Sequence, residues 1–556
     1  MFRQFRKEVM ECLKDFDVDE RFVKESEHAD LASTIAFKLA KERNDNPVIV
    51  AEEIVSQLEP SGYIGSIESL NGYINFFADY EFLEDTINFI LDTDENYGSL
   101  NLEGKILIEH TSANPDGPLH IGHIRNSVIG DTLARIFKKA GFDVTTHFYV
   151  NDMGRQVALT VLGSLKFGLD ERKKGDHAVA DAYIGINRYM EEKEEEKEEI
   201  EKSVEELMLK YESGDKNTVP LFENIVDKAV EGIRETLKFL GISHNLYVKE
   251  SEFIRNGYVD RILNVIDDRG LLKKGGAWFI DLSEYGHEKE VVLRRENGTT
   301  LYITRDLAYH LWKNENFERF INILGSDHKL IGRQLSDILR ILDLKPPELV
   351  FFEFVSLPEG SMSTRKGKFI SADELIDNVL NEACKIIRER ELSEEEKEKI
   401  SRSVAAGAIR YDFARIAPEK PMVFDLKKAL DFERQTASYI QYSHTRACSI
   451  LRKAVNEGMP DLEFNGELCN QLERKLVMLL SKFSTVIEKV VRDLRVNSFA
   501  DYLMEVAINF NDFYNQHPVL KAEEEIRMHR LAIVDASRIV LRNGLDVLGI
   551  KALERM

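Results

Sequence analysis

Apolar positions at the start of the chain recur at helical spacing in FRKEVMECLKDF and LASTIAFKLAKER, then crowd into the short aromatic strand GYINFFAD. That change of period predicts a small α+β unit from Met1 to about Asp79, followed by a helical connector, EDTINFILDTDENYG. Next come the apolar strand KILIEH and TSANPDGPLH, a loop with two prolines and a glycine. In HIGHIRNSVIGDTLARIFKKAG the residues Ile121, Ile124, Val128, Leu133, Ile136 and Phe137 keep a helical repeat, and Gly141 stands where a glycine would end the helix. A second strand, DVTTHFYV, follows at once. Strand, loop, helix and strand in that order predict a βαβ unit with parallel strands.

Long, charged, helical sequence from about Gly163 to Leu240 breaks this rhythm and reads as an insertion with a solvated Glu/Lys face. The α/β pattern resumes in LYITRDLAYHLWK, FINILGSDHKLIGRQL and the strand LVFFEFVSL. From about Leu392 the pattern is almost purely helical, as in RKLVMLLSKFSTVIEKVVRDL and HRLAIVDASRIVLRNGLDVLG, which predicts a separate all-α domain. The expected division is residues 1–95, 96–420 with the insertion at about 163–240, and 421–556.

Charge complicates the picture. There are 75 basic and 98 acidic residues, a net of −23, which argues against a general nucleic-acid binder. The surplus is concentrated, however, in EEKEEEKEEIEKSVEEL from Glu191, so basic faces can survive elsewhere. Cys12, Cys384, Cys448 and Cys469 form no CxxC pair and read as reduced, buried thiols of a cytosolic protein. No apolar run approaches the ~20 residues of a membrane span, and the charged start MFRQFRKEVMECLKDF is unlike a secretory signal. A cytoplasmic protein without membrane contact is expected.

Two constellations carry chemistry. His120 and His123 stand three apart at the start of the predicted helix, where free N–H groups and the helix dipole favour an anion, and Gly122 leaves room for a ligand to approach. Alone, HxGH is more often a pair of packed or surface histidines; zinc is a rival, with no third ligand nearby. The second is Gly360-Ser361-Met362-Ser363-Thr364-Arg365-Lys366-Gly367, small hydroxyls and two cations between glycines. Such a loop can close over a triphosphate and neutralise charge as pyrophosphate leaves; alone, it is more often a basic turn.

Together and in this order, the two resemble the HIGH and KMSKS signatures of the class I aminoacyl-tRNA synthetases. Ser361 replaces the first lysine of KMSKS, and the MSTRKG form is itself similar to that of arginyl-tRNA synthetases. The resemblance implies a Rossmann-like parallel-sheet α/β catalytic domain with a helical insertion, a small α+β N-terminal domain and an all-α C-terminal domain. It implies ATP as substrate, Mg2+ accompanying the ATP with no dedicated metal ligands, and L-arginine and tRNA(Arg) as partners; a monomer is expected. The loop Glu109-His110-Thr111-Ser112-Ala113-Asn114-Pro115 looks like the family's EFSSPN segment, which assigns Glu109, Ser112, Ala113 and Asn114 to the amino acid, beside His123. LYITRDLAY resembles its LYLTRD segment, which assigns Tyr302 and Asp306 to the guanidinium, and its Glu-Ser pair would be Glu250-Ser251. The chemistry agrees: a carboxylate takes a bidentate bond from guanidinium, a tyrosine ring covers its face, and i, i+4 residues share one helical face. Where eukaryotic members have a pocket glutamine, this chain has His328.

By the same resemblance His120, His123, Gly122, Met362, Ser363, Arg365 and Lys366 serve ATP, with His120, His123, Arg365 and Lys366 the catalytic group. SYIQYSHTRACSILRKA and the ending NGLDVLGIKALERM are similar to the family's anticodon-binding domain, which nominates Tyr439, Tyr442, Arg446 and Met556 for tRNA contact; Gln441, Arg452 and Lys453 lie nearby. Aromatics beside arginines can stack on unpaired bases. The N-terminal unit resembles the domain the family sets against the tRNA elbow. Family members need bound tRNA before arginine is activated, and the same is expected here. The rivals are a class I synthetase for cysteine or glutamate, and a catalytically silent relative that only binds tRNA.

Overall fold

The structure is a computed structural model, and it describes residues 1–287, 290–358, 370–431, 434–456, 458 and 462–556. The N-terminal unit sets α1 (Phe2–Cys12), α2 (Ile35–Arg43) and α3 (Pro47–Val55) against an antiparallel sheet of β1 (Val23–Lys24), β2 (Leu31–Ser33), β3 (Ile64–Leu70) and β4 (Tyr73–Ala78), in the order β1-β2-β4-β3. The β3–β4 hairpin turns on Asn71-Gly72, both at positive φ, the dipeptide a two-residue turn of this hand requires. Helix α4 (Tyr80–Thr93) then leads to β5 (Lys105–Glu109), α5 (Ile121–Lys139) and β6 (Asp143–Val150), the expected βαβ unit. Gly141 at φ 105 ends α5.

Four helices, α6 (Arg155–Phe167), α7 (Gly175–Glu192), α8 (Lys197–Glu212) and α9 (Val219–Phe239), pack on one another and carry the chain to β7 (Leu246–Lys249). Between β7 and the resumed pattern lie α10 (Glu250–Arg255), α11 (Tyr258–Asp268) and a small antiparallel sheet of β8 (Leu272–Lys274), β9 (Trp278–Ile280) and β10 (Val291–Arg294). The expected strands had no counterpart for that sheet. Next come α12 (Tyr302–Asn316), β11 (Arg319–Gly325), α13 (Lys329–Ile341) and β12 (Glu348–Phe352).

The main sheet is all parallel, in the order β12-β11-β5-β6-β7. The chain winds one way from β5 to β7 and the other way through β11 to β12, so the crevice beyond the carboxyl ends of β5 and β11 is the topological switch point. Its central strands are apolar runs because helices cover both faces.

LVFFEFVSL is not one strand. It ends as β12 at Phe352 and restarts as β13 (Val355–Ser356), which pairs parallel with β14 (Met422–Val423). The break falls at Glu353, whose carbonyl accepts from buried Arg125 of α5 and whose carboxylate takes Ser326 and Lys329. The C-terminal part is therefore not purely helical, although α14 (Ala372–Arg388), α15 (Glu394–Ala414), α16 (Leu426–Ala429), α17 (Ala437–Asn456), α18 (Gln471–Ser481), α19 (Phe483–Asp493), α20 (Val496–Gln516) and α21 (Glu524–Val547) dominate it. The N-terminal unit docks on this helical body: Arg474 donates to Asp30 Oδ2 (2.6 Å) and to the Ala78 carbonyl (2.7 Å). Of the four cysteines only Cys448 is buried; Cys12 and Cys469 are half-buried and Cys384 is exposed, which corrects the expectation of four buried thiols. Among the described residues no helix is long and apolar enough to cross a membrane.

Candidate functional site

The HIGH histidines stand at the switch point, where α5 begins. His120 is the N-cap: its Nδ1 accepts from the N–H groups of Gly122 (3.0 Å) and His123 (3.3 Å), while its own N–H donates to His123 Nδ1 (3.2 Å). The rings stack, centroids 3.6 Å apart. One correction follows: the N–H groups of Gly122 and His123, expected to be open to an anion, are capped by imidazole. Gly122 lines the cleft, with the His120 ring 2.9 Å from where its Cβ would be. Burial pushes both imidazoles below their ordinary value, His123 furthest, with His120 adding to it. With Nδ1 accepting on each ring, both are neutral with the proton on Nε2, a hydrogen-bond donor without charge.

The histidines line a cleft of about 400 Å³ together with Ser112, Asn126, Asp327, His328 and Phe354. Its floor is strained: Thr111 (φ 70) and Ser112 (φ 40) are consecutive non-glycine residues at positive φ, unusual above all for a β-branched residue. Asn126 of α5 holds them, accepting from Thr111 N (2.8 Å) and donating to the Ile323 carbonyl of β11 (2.9 Å). Ser112 Oγ accepts from Tyr149 N (3.2 Å). Ala113 is buried, and Asn114 is exposed and donates to Gln156 (3.2 Å).

Asn114 and Tyr302 open instead onto a neighbouring cleft of about 570 Å³, with Asn151 and Arg305. Three acids from three elements surround the buried Tyr149. Glu109 is buried against Lys313 Nζ (2.5 Å). Glu250 is buried against Arg305 Nε (2.8 Å), and burial lifts its carboxyl to about 7 against the pull of that cation. Asp306 faces His310 Nδ1 (3.1 Å); although burial pushes it up, His310 and Lys313 hold it below the usual carboxylate range. Tyr302 and Asp306 share the first turns of α12.

Met362, Ser363, Arg365 and Lys366 lie outside the described residues. The described residues that follow them reach the HIGH motif: Ser371 bridges His120, and Ala372 N donates to the Leu119 carbonyl (2.7 Å).

Far along the helical body, Tyr439, Tyr442 and Arg446 form one partly exposed stripe of α17. The Arg446 guanidinium lies 4.9 Å over Tyr442 and 4.8 Å over Tyr514, and also bonds Asn511. Met556 is half-buried nearby, because His444 and Thr445 clamp the Leu553 carbonyl and lay the C-terminal tail along α17. Of their neighbours, Gln441 is buried and donates to the Lys551 carbonyl, and Arg452 donates to that of Glu554. Sequence reasoning missed Asn126, Lys313, Arg305 and Tyr149, whose buried hydroxyl has no partner among the described residues and lies in the field of Glu250 and Asp306. For Asn126, Arg305 and Lys313 the available signal was a polar residue on an otherwise buried helical face; Tyr149 sits on β6 and gave none.

A parallel switch-point cleft entered by HIGH, with a helical insertion and a helical C-terminal domain, defines a class I aminoacyl-tRNA synthetase. The profile described as tRNA synthetases class I (R), catalytic domain, matches residues 86–418; that of the DALR anticodon binding domain matches 440–556, and that of the arginyl tRNA synthetase N terminal domain 3–78. An arginine–tRNA ligase of Archaeoglobus fulgidus is 68% identical over 100% of both chains. Among solved structures, the Thermus thermophilus arginyl-tRNA synthetase superposes with a TM-score of 0.87 at 27% identity, covering 100% of each chain. The Plasmodium falciparum arginyl-tRNA synthetase shares the fold, at 0.81 and 17% identity over 99% of each. The chain belongs to the arginyl-tRNA synthetase family.

Proposed function

We propose that the chain, as an arginine–tRNA ligase, activates L-arginine with ATP in the cleft at the HIGH helix and passes it to tRNA(Arg). The arginine carboxylate attacks the α-phosphate, pyrophosphate leaves, and the 2′-hydroxyl of the terminal adenosine then attacks the activated carbonyl. The carboxylate is already a nucleophile, so positioning and charge stabilisation carry the first step. His120 and His123 offer neutral Nε2–H donors to the phosphates, and Arg365 and Lys366 follow the β/γ charge, with Gly122, Met362 and Ser363 completing the nucleotide site. Glu109, Ser112, Ala113, Asn114 and His123 hold the amino-acid end of arginine; Glu250, Tyr302 and Asp306 read its guanidinium, and His328 closes the cleft. Tyr439, Tyr442, Arg446 and Met556 meet tRNA in the helical domain. The protein works as a cytoplasmic monomer with domains near 1–95, 96–420 and 421–556, and arginine activation waits for bound tRNA.

Mg2+ enters as the counter-ion of ATP. The described residues of the nucleotide cleft include one carboxylate, Asp327, too few for a resident metal.

The observation that carries the reading is two neutral imidazole donors lining one cleft, with three buried or half-buried acids gathered about Tyr149 behind Arg305 of the other. A cap-preserving variant tests it. His120→Asn keeps an N-cap acceptor but lacks the ring nitrogen that faces phosphate. Its unfolding midpoint should stay near the parent's while kcat for charging falls about a hundredfold. Unchanged charging would reject the phosphate role.

A further inference from the structure

The last turn of α12 puts a cation where a pocket for a cationic amino acid would not be expected to hold one. Lys313 is fully buried, and its ammonium donates to Glu109 Oε2 at 2.5 Å and to Asn322 Oδ1 at 3.0 Å. Those acceptors are neighbours because parallel register pairs Glu109 of β5 with Asn322 of β11. A third contact, 3.3 Å to His310 Nε2, has one possible polarity: an ammonium only donates, so Nε2 accepts. Asn322 Nδ2 approaches the same nitrogen at 3.2 Å, again as donor. His310 is therefore held as the Nδ1–H tautomer. That N–H faces Asp306, 2.8 Å from its carbonyl oxygen and 3.1 Å from Oδ1. The ring of Tyr309 walls the ammonium at 4.0 Å from its centroid.

From this geometry we infer that Lys313 is a positioning residue for arginine recognition, setting Glu109 directly and Asp306 through His310. The inference rests on the roles proposed above for those two acids. They come from different elements, a strand and a helix, and in a low-dielectric pocket they repel. One ammonium joined to both fixes their separation. With both acids ionised, the trio carries one net negative charge, equal and opposite to the net charge of arginine. The pocket is thus tuned to accept one cation and is spared the cost of two uncompensated carboxylates.

Steady-state charging by the full chain, with arginine and ATP varied separately, tests this. Lys313→Met should raise the KM for arginine about tenfold or more and leave that for ATP within about twofold. His310→Phe keeps Lys313 on Glu109 but cuts the arm to Asp306; the KM for arginine should rise about threefold, again without change for ATP. If Lys313→Met does not fold, His310→Phe alone decides. Folded variants whose arginine KM does not move, or in which both KM values rise equally, overturn the inference. Glu109→Gln and Asp306→Asn separate it from the reading beneath. If they raise the arginine KM while the other two variants do not, only the role of Lys313 fails. If they do not raise it, the assignment of the acids fails and takes the inference with it.

Discussion

Glu250 illustrates how one residue's surroundings set the conditions of binding. It is buried with Arg305 as its ion-pair partner, and burial outweighs that partner, lifting the carboxyl to about 7. The folded protein therefore holds this proton more tightly than the unfolded chain, so ionising Glu250 costs stability as pH rises from about 5 through 7. A guanidinium needs the ionised form, so the effect on arginine has the opposite sense. Below pH 7 the KM for arginine should rise about tenfold per pH unit, and Glu250→Gln should flatten that profile while raising KM at pH 8. A profile equally steep in both proteins would assign the titration elsewhere. The Glu-Ser pair was legible through family resemblance alone, since an acid near the start of a short helix is ordinary. Its partner Arg305, like Lys313, was not. Both sit at positions that helical periodicity assigns to the buried face, and only the fold reveals which acid each one meets.

The element that organises the site is α5, and it comes against the end of β5 at Gly130. A Cβ there would stand 2.2 Å from the Cβ of His110, which is fully buried with its ring tilted against that of His244, centroids 4.2 Å apart. Gly130→Ala gains about 1 kcal/mol of helix propensity, but overpacking costs about 1–3 kcal/mol in a wall that cannot retreat. We expect a net loss of stability of about 1 kcal/mol in urea unfolding, with a larger loss in charging, because His120 and His123 ride on the displaced helix. A variant as stable and active as the parent would mean that the helix–sheet contact is slack. Elements of this kind were readable from pattern: β5, α5 and β6 run close to the limits their apolar runs predicted, since buried strands and a long amphipathic helix leave a strong period. The division of LVFFEFVSL was not, because it depends on Arg125 reaching from α5 to the Glu353 carbonyl. The sheet β8–β10 also left little trace, its strands being three or four residues long and partly exposed.

At the scale of the whole molecule, one buried guanidinium joins parts that family resemblance treats as separate domains. Arg410 of α15 donates to Asp131 Oδ2 on α5 (2.6 Å), to the Leu240 carbonyl at the end of the insertion (3.0 Å) and to the Leu548 carbonyl beyond α21 (2.7 Å). Gly549, at φ 67, leaves the room this needs, since a Cβ there would lie 2.2 Å from Arg410 Nη2. Asp131 also takes Arg135 at 2.8 Å, so it keeps one cation if Arg410 is lost, but the two carbonyls keep none. Breaking a buried pair from one side typically costs about 3–5 kcal/mol, whereas neutralising both sides costs far less. Arg410→Met should therefore destabilise toward the lower end of that range, about 3 kcal/mol, because Arg135 stays on Asp131. Because the lost bonds all cross between α5, the insertion and the C-terminal helices, the undocking of those parts should separate from the melting of their cores. Urea unfolding of Arg410→Met should show an undocking transition, at lower urea, that the parent does not show. A single transition at the parent's midpoint would mean that the apolar faces of α5, α15 and α21 hold the domains together without the buried charge.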